Sequence, residues 1–314
     1  VRIALAGTGP LGVTLLSAML DSPHEVVALL RNGRVATAVG KRLLPPLAAV
    51  FAPQTSVLGL ARRAKLPVFY IDRMDESELA PLRRLEPDLL LVGGFGIVLK
   101  RPLLELPPRG CVNCHSSLLP KHRGPNPFTA AILAGETESG VTFHEMTEGI
   151  DAGAILLQHA FPIDENDTGG SVYRKSCITA GALVLEVLDA LERGDLHGTP
   201  QDEAAATYDK RLREEQLHLD WSRPARELDR LVRACVPFSL ARFTHRGRTV
   251  YVSRTSWDGE ASQAPPGTIT RAAHPVRIAA GHGHLVIEAA HTATVFAGLW
   301  PGLFKRPRVG ERLG

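Results

Sequence analysis

Short apolar runs alternate with amphipathic stretches through the first two-thirds of the chain, and this alternation limits the fold more than any other feature. VRIALAG (1–7), EVVALL (25–30), LPVFYI (66–71), DLLLVGG (88–94) and CVNCH (111–115) each have the length and composition of a strand. Between them, 11–20 and the charged 75–86 carry helical patterns, and 125–134 opens with proline as a helix does. Strands joined through helices return to the same end of a sheet and pair in parallel. The expectation is an α/β domain with a Rossmann-like, mainly parallel sheet wrapped by helices. Residues 139–161 read as paired strands, and 171–194 as a long amphipathic helix ending at Gly194.

After Gly194 the texture changes. The segment 196–212 is polar and reads as a linker. WSRPARELDRLVRACVPF carries a short helix with proline near its start, and from 241 onward short strands alternate with turns. That spacing suggests a small, OB-like β-barrel. The expected domains are therefore 1–195, a linker at 196–212, and 213–314.

The longest apolar runs, such as LLLVGGFGIVL at 89–99, fall short of the roughly 18 residues a membrane span needs. The first residues enter a strand pattern without a signal-peptide layout, so a cytoplasmic, monomeric protein is expected. Cys111 and Cys114 have the spacing of half a zinc site. In a strand, however, positions three apart face opposite sides, and Cys177 and Cys235 supply no second pair. Reduced buried thiols and no metal are expected. The net charge is only +3, but from Ala241 onward ten basic residues stand against four acids. Such a region suits a polyanionic partner, or serves simply as a solubilising surface.

Gly7-Thr8-Gly9-Pro10-Leu11-Gly12 is a literal G-x-G-x-x-G between a strand and a helix, the context of a dinucleotide fingerprint. Arg31, after the second strand, is the residue type that meets a 2′-phosphate, so an NADP-dependent reductase is an alternative. No acidic ribose partner follows that strand.

A richer constellation lies further on. Asn113 and His115 are two apart in a strand and so share a face. Asp151 follows in a glycine-flanked turn. Amide, imidazole and carboxylate together form an acid/base and oxyanion set suited to acyl transfer. Cys114 points to the opposite face. Taken singly, each of the three has an ordinary structural role available. His122, His144 and His159 read as structural histidines.

Asn113-Cys-His115-Ser-Ser117-Leu118-Leu119-Pro120-Lys-His-Arg-Gly124, followed by Gly149-Ile-Asp151-Ala-Gly153, resembles the core signature of the 10-formyltetrahydrofolate-dependent formyltransferases. The resemblance extends over nearly the whole chain and is greatest to members that formylate initiator methionyl-tRNA. Asp220-Trp221-Ser222 and Pro266-Gly267-Thr268-Ile269 resemble their C-terminal motifs, and Gly40 to Pro45 resembles their basic insertion loop. The resemblance implies Asn113, His115 and Asp151 as catalytic residues. It implies a folate site that includes Ser117, Leu118, Leu119 and Pro120, with Phe95 and Gly96 as a further wall. Lys41 and Arg42 would contact RNA phosphates. The implied donor is 10-formyltetrahydrofolate, and the implied acceptor is methionyl-tRNA in translation initiation. An amino-sugar nucleotide or a peptide-synthesis intermediate remains an alternative acceptor.

Overall fold

A computed structural model describes residues 1–34, 55–292 and 307–313. Two compact units result. One comprises Val1–Pro127, Ser139–Phe161 and Tyr173–Asp209; the other comprises Phe128–Glu138, Pro162–Val172 and Lys210–Gly314.

The first unit is built on a seven-stranded sheet. Its strands are β1 (Arg2–Gly7), β2 (Glu25–Asn32), β3 (Val68–Ile71), β4 (Leu89–Gly93), β5 (Cys111–His115), β6 (Glu138–Glu145) and β7 (Ile155–Pro162). Their order is β3-β2-β1-β4-β5-β6-β7. The first five pair in parallel, as the helical connections require, and β6 joins β5 antiparallel. Helices α1 (Gly9–Leu20), α2 (Val57–Arg63) and α6 (Gly169–Arg193) supply one face of the core. On α6 the buried residues Cys177, Ala180, Val184, Val187 and Leu188 recur at helical spacing against Leu5, Leu15 and Leu29. Each fully buried leucine here contributes roughly 1.5–3 kcal/mol. Helices α3 (Glu76–Arg83) and α4 (Arg101–Leu104) cover the other face with Leu79, Leu82 and Leu103. Backbones approach closely where β1 turns into α1. A Cβ on Gly12 would lie 3.0 Å from the Gly7 carbonyl carbon.

The second unit contains α5 (Pro127–Ala134) and α7 (Ala225–Cys235), with strands β8 (Ala241–His245), β9 (Arg248–Asp258), β10 (Ile269–Arg271), β11 (Val276–Ala279) and β12 (His284–His291). The strands form one antiparallel sheet in the order β10-β11-β12-β9-β8. It is a curled half-barrel: β8 and β10 do not pair with each other. Short segments pad both edges instead. His218 bridges Arg242 on β8, and Thr268, just before β10, bridges Arg312. Glu311 then accepts from Arg246 and pairs with His245, tying the far edge to the end of β8. Trp221 and Phe243 pack edge to face in the core, 5.4 Å apart.

Among the described residues, no helix is long and apolar enough to cross a membrane. The four cysteines are free and buried. Cys111 and Cys114 lie in different core clusters, as alternation along β5 demands.

Candidate active site

The end of β5 sets the site. Asn113 and His115 share the face opposite Cys114. Antiparallel pairing places His144 of β6 directly across from Asn113 and Thr142 across from His115. Residues directly opposite share a face, so His144 joins the polar group. The chain then turns through 146–154 and brings back Asp151, whose backbone is left-handed with φ 50°.

Four side chains meet there. The Asn113 amide nitrogen donates to Asp151 Oδ1 at 3.3 Å and lies 3.1 Å from His144 Nε2. The Gly124 amide donates to Asp151 Oδ2 at 2.8 Å. His115 Nδ1 faces the same oxygen at 3.6 Å. The protons follow from the carbonyl partners, because a carbonyl only accepts. His144 Nδ1 is 2.7 Å from the Glu145 carbonyl and carries a hydrogen, so in the tautomer with a single proton Nε2 accepts from Asn113. His115 Nε2 is 2.9 Å from the His122 carbonyl and donates, so Nδ1 of the neutral ring presents a lone pair toward Asp151.

Burial pushes the His115 imidazole down, against the pull of Asp151 and the His122 carbonyl, so the neutral ring is favoured. Burial also opposes ionisation of Asp151. Attraction to the His115 ring once it is protonated at low pH, with His144 and the Gly124 amide, outweighs it and holds the carboxyl at about 2. At neutral pH the pair is therefore a carboxylate beside a neutral imidazole whose free nitrogen gains stability on taking a proton. Asn113 has both amide hydrogens directed into the cluster, so donating to an oxyanion requires it to release one of them.

The residues flanking this group are pinned. Thr142 Oγ1 donates to the Ser117 carbonyl at 2.7 Å and accepts from the Leu119 amide at 3.2 Å. Gln158 donates to the Leu119 carbonyl at 2.9 Å. Ser117 and Leu119 are buried, while Leu118 and Pro120 are half-buried. The Phe95 ring is buried in the core, so the loop at the end of β4 presents backbone, with Gly96 exposed beside it. Lys41 and Arg42 lie outside the described residues. Of the basic residues after Ala241, Arg242, Arg246, Arg254 and Arg277 are held in ion pairs, which leaves less free positive charge than the count implies.

Sequence reasoning missed His144 and the polar segment after 195. His144 was detectable only through the β5–β6 register. Arg123 is fully buried. It donates to Gln201 Oε1 at 2.8 and 3.1 Å and to the Glu203 carboxylate at 2.7 and 2.9 Å. Gln201 in turn donates to the Asp151 carbonyl at 2.8 Å and the Gly153 carbonyl at 2.7 Å.

The glycine fingerprint is occupied from within. Pro10 has no N–H to offer an anion, the Leu11 amide points at the Tyr173 hydroxyl at 3.4 Å, and the Gly12 amide bonds Thr8. Arg31 donates to the Gly7 carbonyl at 3.4 Å. Titration with NADPH is expected to give no saturable change in cofactor fluorescence; micromolar binding would restore the reductase alternative.

A family model described as "Formyl transferase" matches residues 1–188, and "Formyl transferase, C-terminal domain" matches 211–294. The chain is 38% identical over 253 residues to a protein named methionyl-tRNA formyltransferase from Pseudomonas putida (strain W619), covering 80% of this chain and 79% of that one. It is 34% identical over 293 residues to a protein of the same name from Marinobacter nauticus, covering 92% and 91%. Among solved structures, an N-formyltransferase from Helicobacter canadensis, in complex with folinic acid and dTDP-3-aminofucose, shares the fold with a TM-score of 0.70 at 20% identity, covering 93% of this chain and 100% of that one. HypX from Aquifex aeolicus, in complex with tetrahydrofolic acid, shares it with a TM-score of 0.62 at 21% identity, covering 93% of this chain and 44% of that one.

Proposed function

This chain belongs to the formyl transferase family, and from that premise we propose that it transfers the formyl group of 10-formyltetrahydrofolate to the amino group of methionyl-tRNA. The breadth of the likeness carries the acceptor: relatives bearing that name align over 79% and 91% of their own length.

The donor, when bound, supplies an activated formyl carbon. The chain's own groups suit such a donor: a polar cluster beside a turn carrying half-buried Leu118, while the thiol on that face of β5, Cys111, is buried against the Leu103 and Leu104 carbonyls. Cys114 lies across the sheet and Cys111 is buried, so neither thiol is placed to form an enzyme-bound intermediate, and the formyl group passes directly to the amine. Asn113 is the amide that donates to the oxygen gaining negative charge once one N–H is freed. His115 Nδ1 accepts the proton the attacking amine must lose, and Asp151 stabilises the resulting imidazolium. Proton return to the leaving nitrogen uses the same ring in reverse. His144 orients Asn113 from across the hairpin.

An acceptor screen tests the proposal. With 10-formyltetrahydrofolate present, methionyl-tRNA is expected to be formylated and amino-sugar nucleotides are not. The KM for methionyl-tRNA should rise steeply with salt, because each neutralised phosphate contributes roughly 0.7–0.9 to the log–log slope. Formylation of only a small amine, or a flat salt response, overturns the assignment.

A further inference from the structure

We infer that residues 201–209, which sequence alone reads as part of a linker, form a strap that holds the catalytic groups in register, with Gln201 as the positioning residue for Asp151. This rests on the proposed reading of Asp151 as the carboxylate that stabilises the proton on His115.

The geometry is continuous from strap to site, and every contact lies within the first unit. Gln201 Nε2 gives its hydrogens to the carbonyls of Asp151 and Gly153, spanning the turn that presents the carboxylate. Asp151 holds a left-handed backbone with φ 50°, a conformation open to aspartate that the bonds across this turn favour over its alternatives. The same Gln201 accepts from buried Arg123 through Oε1. The two neighbours of Arg123 make the remaining contacts: the His122 carbonyl takes the His115 hydrogen, and the Gly124 amide binds the Asp151 carboxylate. The strap also pairs with this tripeptide through backbone. The Arg123 amide donates to Thr207 and the Asp209 amide to Arg123, at 2.9 and 2.8 Å. His122 is held by Thr207 Oγ1 and by the Asp209 carboxylate, each at 2.8 Å. One amide side chain therefore links the turn that carries Asp151 to the loop that carries its hydrogen-bond donor. Without it, two carbonyls lose their donors and the 3.6 Å spacing between His115 Nδ1 and Asp151 is no longer fixed.

Gln201 does not reach the reacting atoms, so its loss should act on turnover and not on binding. The test uses the full chain with Gln201→Leu, which removes the amide, and Gln201→Glu, which keeps shape and the contact to Arg123 but not the donors. Both are expected to lower kcat on the order of 10- to 100-fold. The KM for each substrate should stay within about twofold, as expected when an interaction made only in the transition state is lost. Wild-type kcat in both variants, or a rise in KM with kcat unchanged, overturns the strap. Asp151→Asn is measured alongside. If that variant is fully active, the catalytic reading falls and takes the strap with it; if it is inactive while the Gln201 variants match the wild type, the strap alone falls. Should the screen find a different acceptor, the same comparison is made with that amine.

Discussion

Asp151→Ala is expected to lower kcat/KM for formyl transfer by a factor on the order of 10³–10⁴ while the protein stays folded. The carboxylate is the only negative charge facing His115 Nδ1, at 3.6 Å, in the described site. Without it, on the proposed mechanism, a buried imidazole already disfavoured as a cation keeps only the His122 carbonyl bond to stabilise the proton it accepts. The protein should stay folded at a moderate cost. The lost contacts are those with the Gly124 and Asn113 donors, and the side chain is 14% exposed, so water can replace it. A cost of roughly 2–3 kcal/mol is expected in a denaturation curve at neutral pH. The carboxyl is held at about 2, below the ordinary value of about 3.9. Its share of stability is therefore complete above about pH 4 and disappears as pH falls through 2. Activity within tenfold of the wild type would sink the mechanism.

Gly124→Ala is expected to damage both fold and activity, although it adds one methyl group. Gly124 has φ +118°, which side chains rarely adopt, and its Cβ would lie 2.3 Å from the Asp209 carbonyl oxygen. That oxygen is backbone and cannot swing aside as a flexible side chain would. Either the strap retreats or the 122–124 loop turns away, and both movements break the 2.8 Å bond from the Gly124 amide to Asp151. Activity should fall at least about 100-fold, with a loss of stability of roughly 2–4 kcal/mol. Melting temperature and kcat/KM measured together check this; a variant with wild-type values for both would show that the close approach is not real.

The parallel sheet was legible because its strands are short, apolar and separated by helical stretches, and the proximity of Asn113 and His115 follows from a period of two. The antiparallel partner was legible as a strand pair, but its register was not. Without the pairing of Asn113 with His144, that histidine looks like any other. Residues 201–209 were opaque for a different reason. Apart from the single 3-10 turn Glu203–Ala205 they form no helix or strand, and the bonds that hold them reach residues about 80 positions earlier, such as Glu203 to Arg123. A polar segment held in place this way has the composition of a free linker. The basic C-terminal region misled in the opposite sense, since counting charges ignores the acids that pair with Arg242, Arg246, Arg254 and Arg277.

The separation between Arg123 and its partners also bears on how the protein comes into being. Synthesis runs from the N-terminus, and Asn113, His115, His144 and Asp151 all leave the ribosome before the residues that brace them. A nascent chain that has reached residue 195 carries every side chain of the proposed catalytic set, yet the turn around Asp151 has no Gln201 to hold it. On the strap proposal, competence waits until the 85-residue loop from Arg123 to Tyr208 closes, a non-local step expected late in folding.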